Sequence, residues 1–175
     1  MGTSTNIVVG VQASSTLKIG DYGTLETAAR DAGFIKGGIA IEHDLTSTEI
    51  KVDQSLGPVD RVPTAESMKI KLSLAEATLD NLAAAYGYPA GAVSGGTFAF
   101  GDLAESTHKT LFINVNGPAG ATRKYTFWKV LPTGKTTQSY KRDGETLVDV
   151  EFAVLCDTTK TAACRFGQVT DTAAA

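Results

Sequence analysis

The sequence predicts a mainly β fold, a β-sandwich or curled antiparallel sheet with one flanking α-helix. Three observations predict it. Apolar residues mostly alternate with polar ones at period two, the mark of strands with one wet face. Turn formers punctuate the chain, with 18 Gly and 5 Pro in 175 residues. Helical spacing is confined to one capped stretch, residues 73–87.

Taken in order, Ile39-Ala40-Ile41-Glu42-His43 alternates, and so does Glu49-Ile50-Lys51-Val52-Asp53. Met68-Lys69-Ile70-Lys71-Leu72 runs apolar, basic, apolar, basic, apolar. Ser73-Leu74-Ala75-Glu76 reads as a capping box, in which hydroxyl and carboxylate each satisfy an orphan backbone N–H. Behind it Ala75, Leu79, Leu82, Ala83 and Tyr86 recur at helical spacing, and Gly87 stops a helix of about three turns. A meander follows. Residues 107–115 alternate around Leu111, Ile113 and Val115, and Asn116-Gly117 is a turn signal. Residues 124–131 form an aromatic strand, Pro132-Thr133-Gly134 turns the chain, and 136–141 is a short strand. Asp143-Gly144 turns again into a long strand at 146–156. Its apolar face is Val148, Val150, Phe152 and Val154, with Asp149 and Glu151 opposite.

Two stretches read as long loops. Residues 20–37 contain a candidate helical turn at 25–30. Residues 53–64 are polar, hold Pro58 and Pro63, and join two clear strands; a loop of that length is usually functional or interfacial. The reading is therefore one domain over 1–157 and a C-terminal arm over 158–175, small, polar and expected to be loosely held in an isolated subunit.

Composition excludes several function classes. At 18.3 kDa the chain suits one ordinary domain. Sixteen Lys+Arg against nineteen Asp+Glu give a net charge of −3. That balance argues against a DNA-wrapping surface, though not against a wall that DNA slides past. The start Met1-Gly2-Thr3-Ser4-Thr5-Asn6 has no basic residue and no long apolar core behind it, so no secretory signal is expected. No apolar run approaches the roughly 20 residues of a membrane span.

Signatures of chemistry are weak. Gly134-Lys135-Thr136 echoes the end of a phosphate-binding loop, but Lys129 stands where the motif requires its first Gly. Cys156, Cys164, His43 and His108 are scattered without zinc-site spacing, and nothing local assembles Cys164, His108 and an acid into a nucleophilic site. No catalytic, metal or cofactor residue is assigned. Glu42/Asp44 and Asp149/Glu151 each share a strand face, as do Lys69 and Lys71. Solvated faces carry such pairs routinely, and the lysines balance neighbouring acids more readily than they grip nucleic acid.

The ordered set of motifs resembles tail tube (major tail) proteins of long-tailed bacteriophages. Val52-Asp53-Gln54 closes a strand, and Pro58-Val59-Asp60 sits in the loop behind it. Alternating residues 68–72 follow, and Leu74-Ala75-Glu76-Ala77-Thr78-Leu79-Asp80-Asn81-Leu82 opens a helix. Tyr125-Thr126-Phe127-Trp128-Lys129-Val130-Leu131-Pro132-Thr133-Gly134 resembles the family's C-terminal meander, as do residues 139–145 and 150–155. The likeness covers roughly residues 37–157.

The resemblance implies a non-enzymatic structural virion protein of the tail, made in the host bacterial cytoplasm and needing no cofactor. Copies close into hexameric rings that stack into a tube through which double-stranded DNA passes, with the inner sheet forming part of a multi-subunit barrel. The partners it implies are further copies of the chain, the tape measure, the terminator and the baseplate, with no membrane and no sequence-specific DNA contact. On this reading Asp53, Gln54, Leu56, Pro58, Val59, Asp60 and Arg61 bridge subunits or rings. Glu42, Asp44, Glu49, Lys69, Lys71, Asp149 and Glu151 are candidates to face the channel. Other tube-like components (a terminator, a baseplate tube, a contractile or type VI secretion tube) and a monomeric β-sandwich binding module are the alternatives.

Overall fold

The computed structural model describes residues 7, 10–11, 15–103 and 105–172. Among these residues ten strands and one α-helix follow in order as β1 (Thr16–Asp21), β2 (Arg30–Asp31), β3 (Ile35–Ile50), β4 (Asp60–Leu74), α1 (Leu79–Ala85), β5 (Val93–Ser94), β6 (Thr97–Phe98), β7 (Lys109–Asn116), β8 (Thr122–Ser139), β9 (Leu147–Val154) and β10 (Gly167–Thr172). The main sheet is antiparallel, in the order β2-β1-β7-β8-β9-β4-β3, with β10 added to β8. A mainly β fold with one helix is thus what forms.

The 18 residues of β8 organise it. Its first half, residues 122–130, pairs with β7 on one side, and residues 122–127 pair with β10 on the other. Beyond Val130 it leaves β7 and pairs with β9, which leads to β4 and β3. The sheet curls, and the apolar faces of both halves close on one core. Leu17, Ile19, Leu111, Ile113 and Phe127 come from one half, and Ile70, Leu72, Leu74, Val148, Val150 and Phe152 from the other. Helix α1 adds Leu82, Ala84 and Ala85.

Several local readings are corrected. Ser73 lies within β4 rather than capping the helix, and its hydroxyl bonds the Asp149 carboxylate. Glu76 turns away to accept the Phe34 N–H at 3.0 Å. Thr78 is the N-cap, accepting the Asn81 N–H at 3.2 Å. The helix is therefore two turns, not three; Gly87, at φ +84°, stops it as expected. Pro132-Thr133-Gly134 does not turn the chain. It lies inside β8, where a bulge between Thr133 and Thr137 absorbs the irregularity against β9. The alternation at 49–53 stops being strand at Ile50, and the loop at 53–64 is shorter than predicted. Asp60 and Arg61 already belong to β4, and Pro63 sits at a bulge opposite Ser47.

The predicted loop at 20–37 contains the end of β1, all of β2 and the start of β3. The Leu25 turn is present, with Ala29 N–H bonded to Leu25 O at 2.9 Å. Near the root of β3 the chain bulges at Gly37 and Gly38, both at positive φ, a conformation that side chains with a Cβ resist.

The stretch assigned to a C-terminal arm is held as far as Thr172. Trp128 Nε1–H donates to Cys164 O at 2.9 Å, and Asp157 N–H to Arg165 O at 2.9 Å. Strand β10 has few apolar residues to announce it. A bidentate pair fastens it instead: Arg123 Nε and Nη2 donate to the two Asp171 oxygens at 2.7 Å each. At the opposite end of the core, Lys109 is 2% exposed and meets Asp21 Oδ1 at 2.5 Å and Tyr88 O at 2.6 Å. A buried ammonium is tolerated only with such partners.

Two outcomes follow from this packing. Phe152→Ala opens a cavity at a fully buried site and should cost about 3–5 kcal/mol in chemical denaturation. The Arg123 guanidinium holds the Asp171 carboxyl below its ordinary range. A lowered folded value adds stability above the unfolded pKa, and that stability is lost as pH falls through the folded one. Amide exchange in β10 should therefore rise relative to β7 below about pH 4. Asp171→Asn should raise it already at neutral pH, and equal protection there in parent and variant would overturn the account.

Candidate assembly surfaces

The residues singled out by the sequence gather on the half-sheet made by β8 beyond Val130, β9, β4 and β3. Alternation along β9 buries Val148, Val150, Phe152 and Val154 and sends Asp149 and Glu151 to the far side. Register then brings Lys71 beside Glu151, Lys69 beside Ala153 and Glu42 beside Lys69. Six of the seven predicted charged residues (Glu42, Asp44, Lys69, Lys71, Asp149 and Glu151) share this one face. Glu49 does not join them. It falls on the opposite face of β3, where its carboxylate pairs with Arg61 and, at 3.5 Å, with Lys51.

The shared face is zipped by charge. Lys71 Nζ lies 2.8 Å from Glu42 and 3.8 Å from Glu151, and Lys69 Nζ lies 3.0 Å from Glu151. The hydrogen bond to Glu42 raises the Lys71 pKa above the ordinary lysine value. These are exposed pairs and add little stability, but they cancel much of the acidity that the sequence suggests for this face. Asp44 stands outside the zipper, opposite Ser67.

Beyond this face β3 and β4 continue as an arm. Met68 is the last β4 residue paired with β9, so the hairpin from there to its tip is two-stranded. None of the 16 residues of β3 is buried. Leu45 is 52% exposed, and Ile50, Val52, Val59 and Val62 are exposed too. The tip loop, 51–59, carries Asp53, Gln54, Leu56, Pro58 and Val59, all exposed, and Leu56 has no cover at all. A two-stranded ribbon with apolar residues in water is marginal alone. At its root a groove of about 460 Å³ runs between Ile41 and Met68 on one side and Phe127, Phe166 and Val169 on the other.

Open strand edges complete the picture. Among the described residues β3 pairs only with β4, so its outer edge offers unpaired backbone groups along its length. At the other side of the same half-sheet, residues 131–139 of β8 have β9 on one edge and, among the described residues, no strand on the other. Long open edges recruit further strands unless something covers them.

Among the described residues no group of three or more His, Cys, Asp or Glu gathers as a metal site, and no helix is long and apolar enough to cross a membrane. Cys156 and Cys164 are free thiols. His43 Nε2 meets Glu66 at 2.9 Å on the core-side face of the arm, and His108 lies elsewhere. The sequence missed the aromatic cluster of Tyr86, Tyr88, Phe98 and Phe100 beside α1, whose ring centroids lie 5.2–6.0 Å apart. The spacing of Phe98 and Phe100 was the available signal.

No family model and no curated protein matches the chain. Solved structures do. The chain is similar to a protein in the sheath/tube terminator of an extracellular contractile injection system in its extended state (PVC). Identity is 12% and the TM-score 0.50, over 93% of this chain and 96% of the other. The two chains share a mainly β fold over nearly their whole lengths. The chain is also similar to a protein of the anti-feeding prophage baseplate, at 8% identity and TM-score 0.49, over 95% and 97% of the two chains. A third likeness, at 13% identity and TM-score 0.44 over 91% and 88%, is to the sheath-tube complex of the PVC system.

The arm gives a direct test of its exposure. In dilute, unassembled protein, limited trypsin should cut first at Lys51 and Arg61, both well exposed beside the tip loop. First cleavage at Lys109 or Lys129 instead would show that the arm is not the most open element.

Proposed function

We propose that the chain is a structural, non-catalytic subunit of a tail tube. Copies close six to a ring, and rings stack around a channel that double-stranded DNA crosses on its way out of a virion. The observation that carries this reading is the half-sheet with an open edge on each side. Its four strands alternate in direction, so the edge strands β8 and β3 run oppositely. Rotation about an axis along the strands preserves those directions. The β3 edge of one copy therefore meets the β8 edge of the next in an antiparallel pair, and every copy repeats the same contact.

Six such half-sheets make a barrel of about 24 strands, beyond the roughly 16–18 at which barrels already hold an aqueous channel. The apolar side of each half-sheet is committed to its own core, which leaves the zippered charged face for the channel. Fixed acids paired with fixed lysines offer DNA no concentrated positive charge to bind. The arm and its tip, from Asp53 to Arg61, reach toward a neighbouring subunit or ring. Such a part needs no cofactor; its partners are its own copies and the proteins that measure, cap and anchor a tail.

Negative-stain microscopy of concentrated protein should show hollow rings or tubes. Persistent monomers across salt and protein concentration would overturn the proposal. The likeness to a sheath/tube terminator component favours one second reading, a ring that caps a tube without stacking on itself. Rings that never lengthen would select it.

A further inference from the structure

The ring reading does not by itself say which residues of β3 meet which residues of β8. We propose that Leu45 of one copy fills an aromatic groove beside β8 of the next, while Asp44 on the other face of the same strand pairs with that neighbour's Lys135. The inference rests on the ring reading and adds to it a register and a pocket.

The groove holds about 470 Å³ and is lined by Tyr86, Phe100, Leu103, Pro132 and Gly134 among others. The Phe100 ring packs edge-on against Tyr86, with centroids 5.8 Å apart, yet Phe100 remains 71% exposed. Leu103 is exposed as well. An apolar site this open next to an unpaired strand edge calls for cover.

Sheet continuity selects the cover. When a strand is added to an edge, its two faces extend the faces already there. On β8, Pro132 lies opposite Phe152 on the core side. On β3, Ile39, Ile41 and Leu45 lie on the core side, as their register with Leu72, Ile70 and Glu66 shows. The core-side residues of a docked β3 thus point toward the aromatic groove. Leu45 is the large apolar residue among them that its own chain leaves most exposed.

Charge supplies the register. Among the described residues neither Asp44 nor Lys135 makes an ion pair, although most charges around them do. Asp44 lies on the polar face of β3. Lys135 lines a groove on the polar face of the half-sheet together with Lys71, Asp149 and Glu151. In an antiparallel pair, setting Asp44 opposite Lys135 sets Leu45 opposite Gly134, which lines the aromatic groove. Two independent contacts, one apolar and one ionic, thus agree on a single alignment.

The test uses the full chain with Cys156→Ser and Cys164→Ser. Leu45→Cys and Phe100→Cys are made in separate batches, mixed, assembled and oxidised with copper phenanthroline in air. A cross-linked dimer should form in the mixture and in neither batch alone. In parallel, Asp44→Lys and Lys135→Asp should each lower the fraction of protein in rings about tenfold, and the double exchange should recover most of it. Circular dichroism of the exposed single variants should match the parent. Rings that form without the cross-link, or charge exchange without rescue, would overturn this contact while leaving the ring reading in place. A parent protein that never forms rings would overturn both. Normal rings from Leu45→Asp would mean that something other than a second copy covers the groove, and would likewise overturn the inference.

Discussion

Phe152 has no exposed surface, and the pleat of β9 then obliges Glu151 and Ala153 to face the other way. The rest of the molecule is arranged around that division. On the buried side, neighbours from β4 and β8 close a single core with the β1–β7 half and α1. On the far side, residues barred from the core collect, and register lines up carboxylates and ammonium groups across three strands. A one-residue slip of β9 would put Asp149 and Glu151 into the core, so register here is fixed by the whole of the apolar packing.

That same division explains how much could be read in advance. β9 and the inner half of β4 were plain because apolar and charged residues strictly alternate in them. The mainly β class followed from such stretches. The capping box was misread because Ser73 and Glu76 have the right spacing for a helix start but are claimed by distant partners, Asp149 and Phe34, which no local pattern discloses. Pro132 and Gly134 looked like a turn; a proline whose missing N–H faces an open edge breaks no ladder bond, so β8 runs through. β10 stayed hidden because it is a strand by pairing and by one ion pair, without apolar periodicity. Among the candidate surface residues, parity alone gathers Glu42, Asp44, Lys69, Lys71, Asp149 and Glu151 on one face, and parity alone excludes Glu49. The ion pairs among them depend on registers that only the folded chain reveals.

The lysines are the instructive case. Taken singly, Lys69 and Lys71 looked at odds with a wall meant to let an acidic polymer pass. Placed between Glu42 and Glu151 they give those two carboxylates a cation each, while Asp44 and Asp149 make no ion pair among the described residues. The local field is then short-ranged, because opposite charges a few ångströms apart cancel within a Debye length. A surface of this kind neither attracts nor strongly repels a polyanion.

The paired glycines at the root of β3 are not a hinge. A Cβ built at Gly37 or Gly38 would meet nothing within 4 Å, so it is the positive φ and not a lack of room that calls for glycine here. Ile39–His43 beyond the bulge are paired to β4 residues 68–72, which β9 holds in turn, so the bulge stays fixed in the sheet. Bending of the arm falls instead beyond Met68, where β3 and β4 have each other alone. A ribbon that flexes along its two-stranded length and is anchored at its base would absorb small mismatches in whatever it meets without disturbing the core.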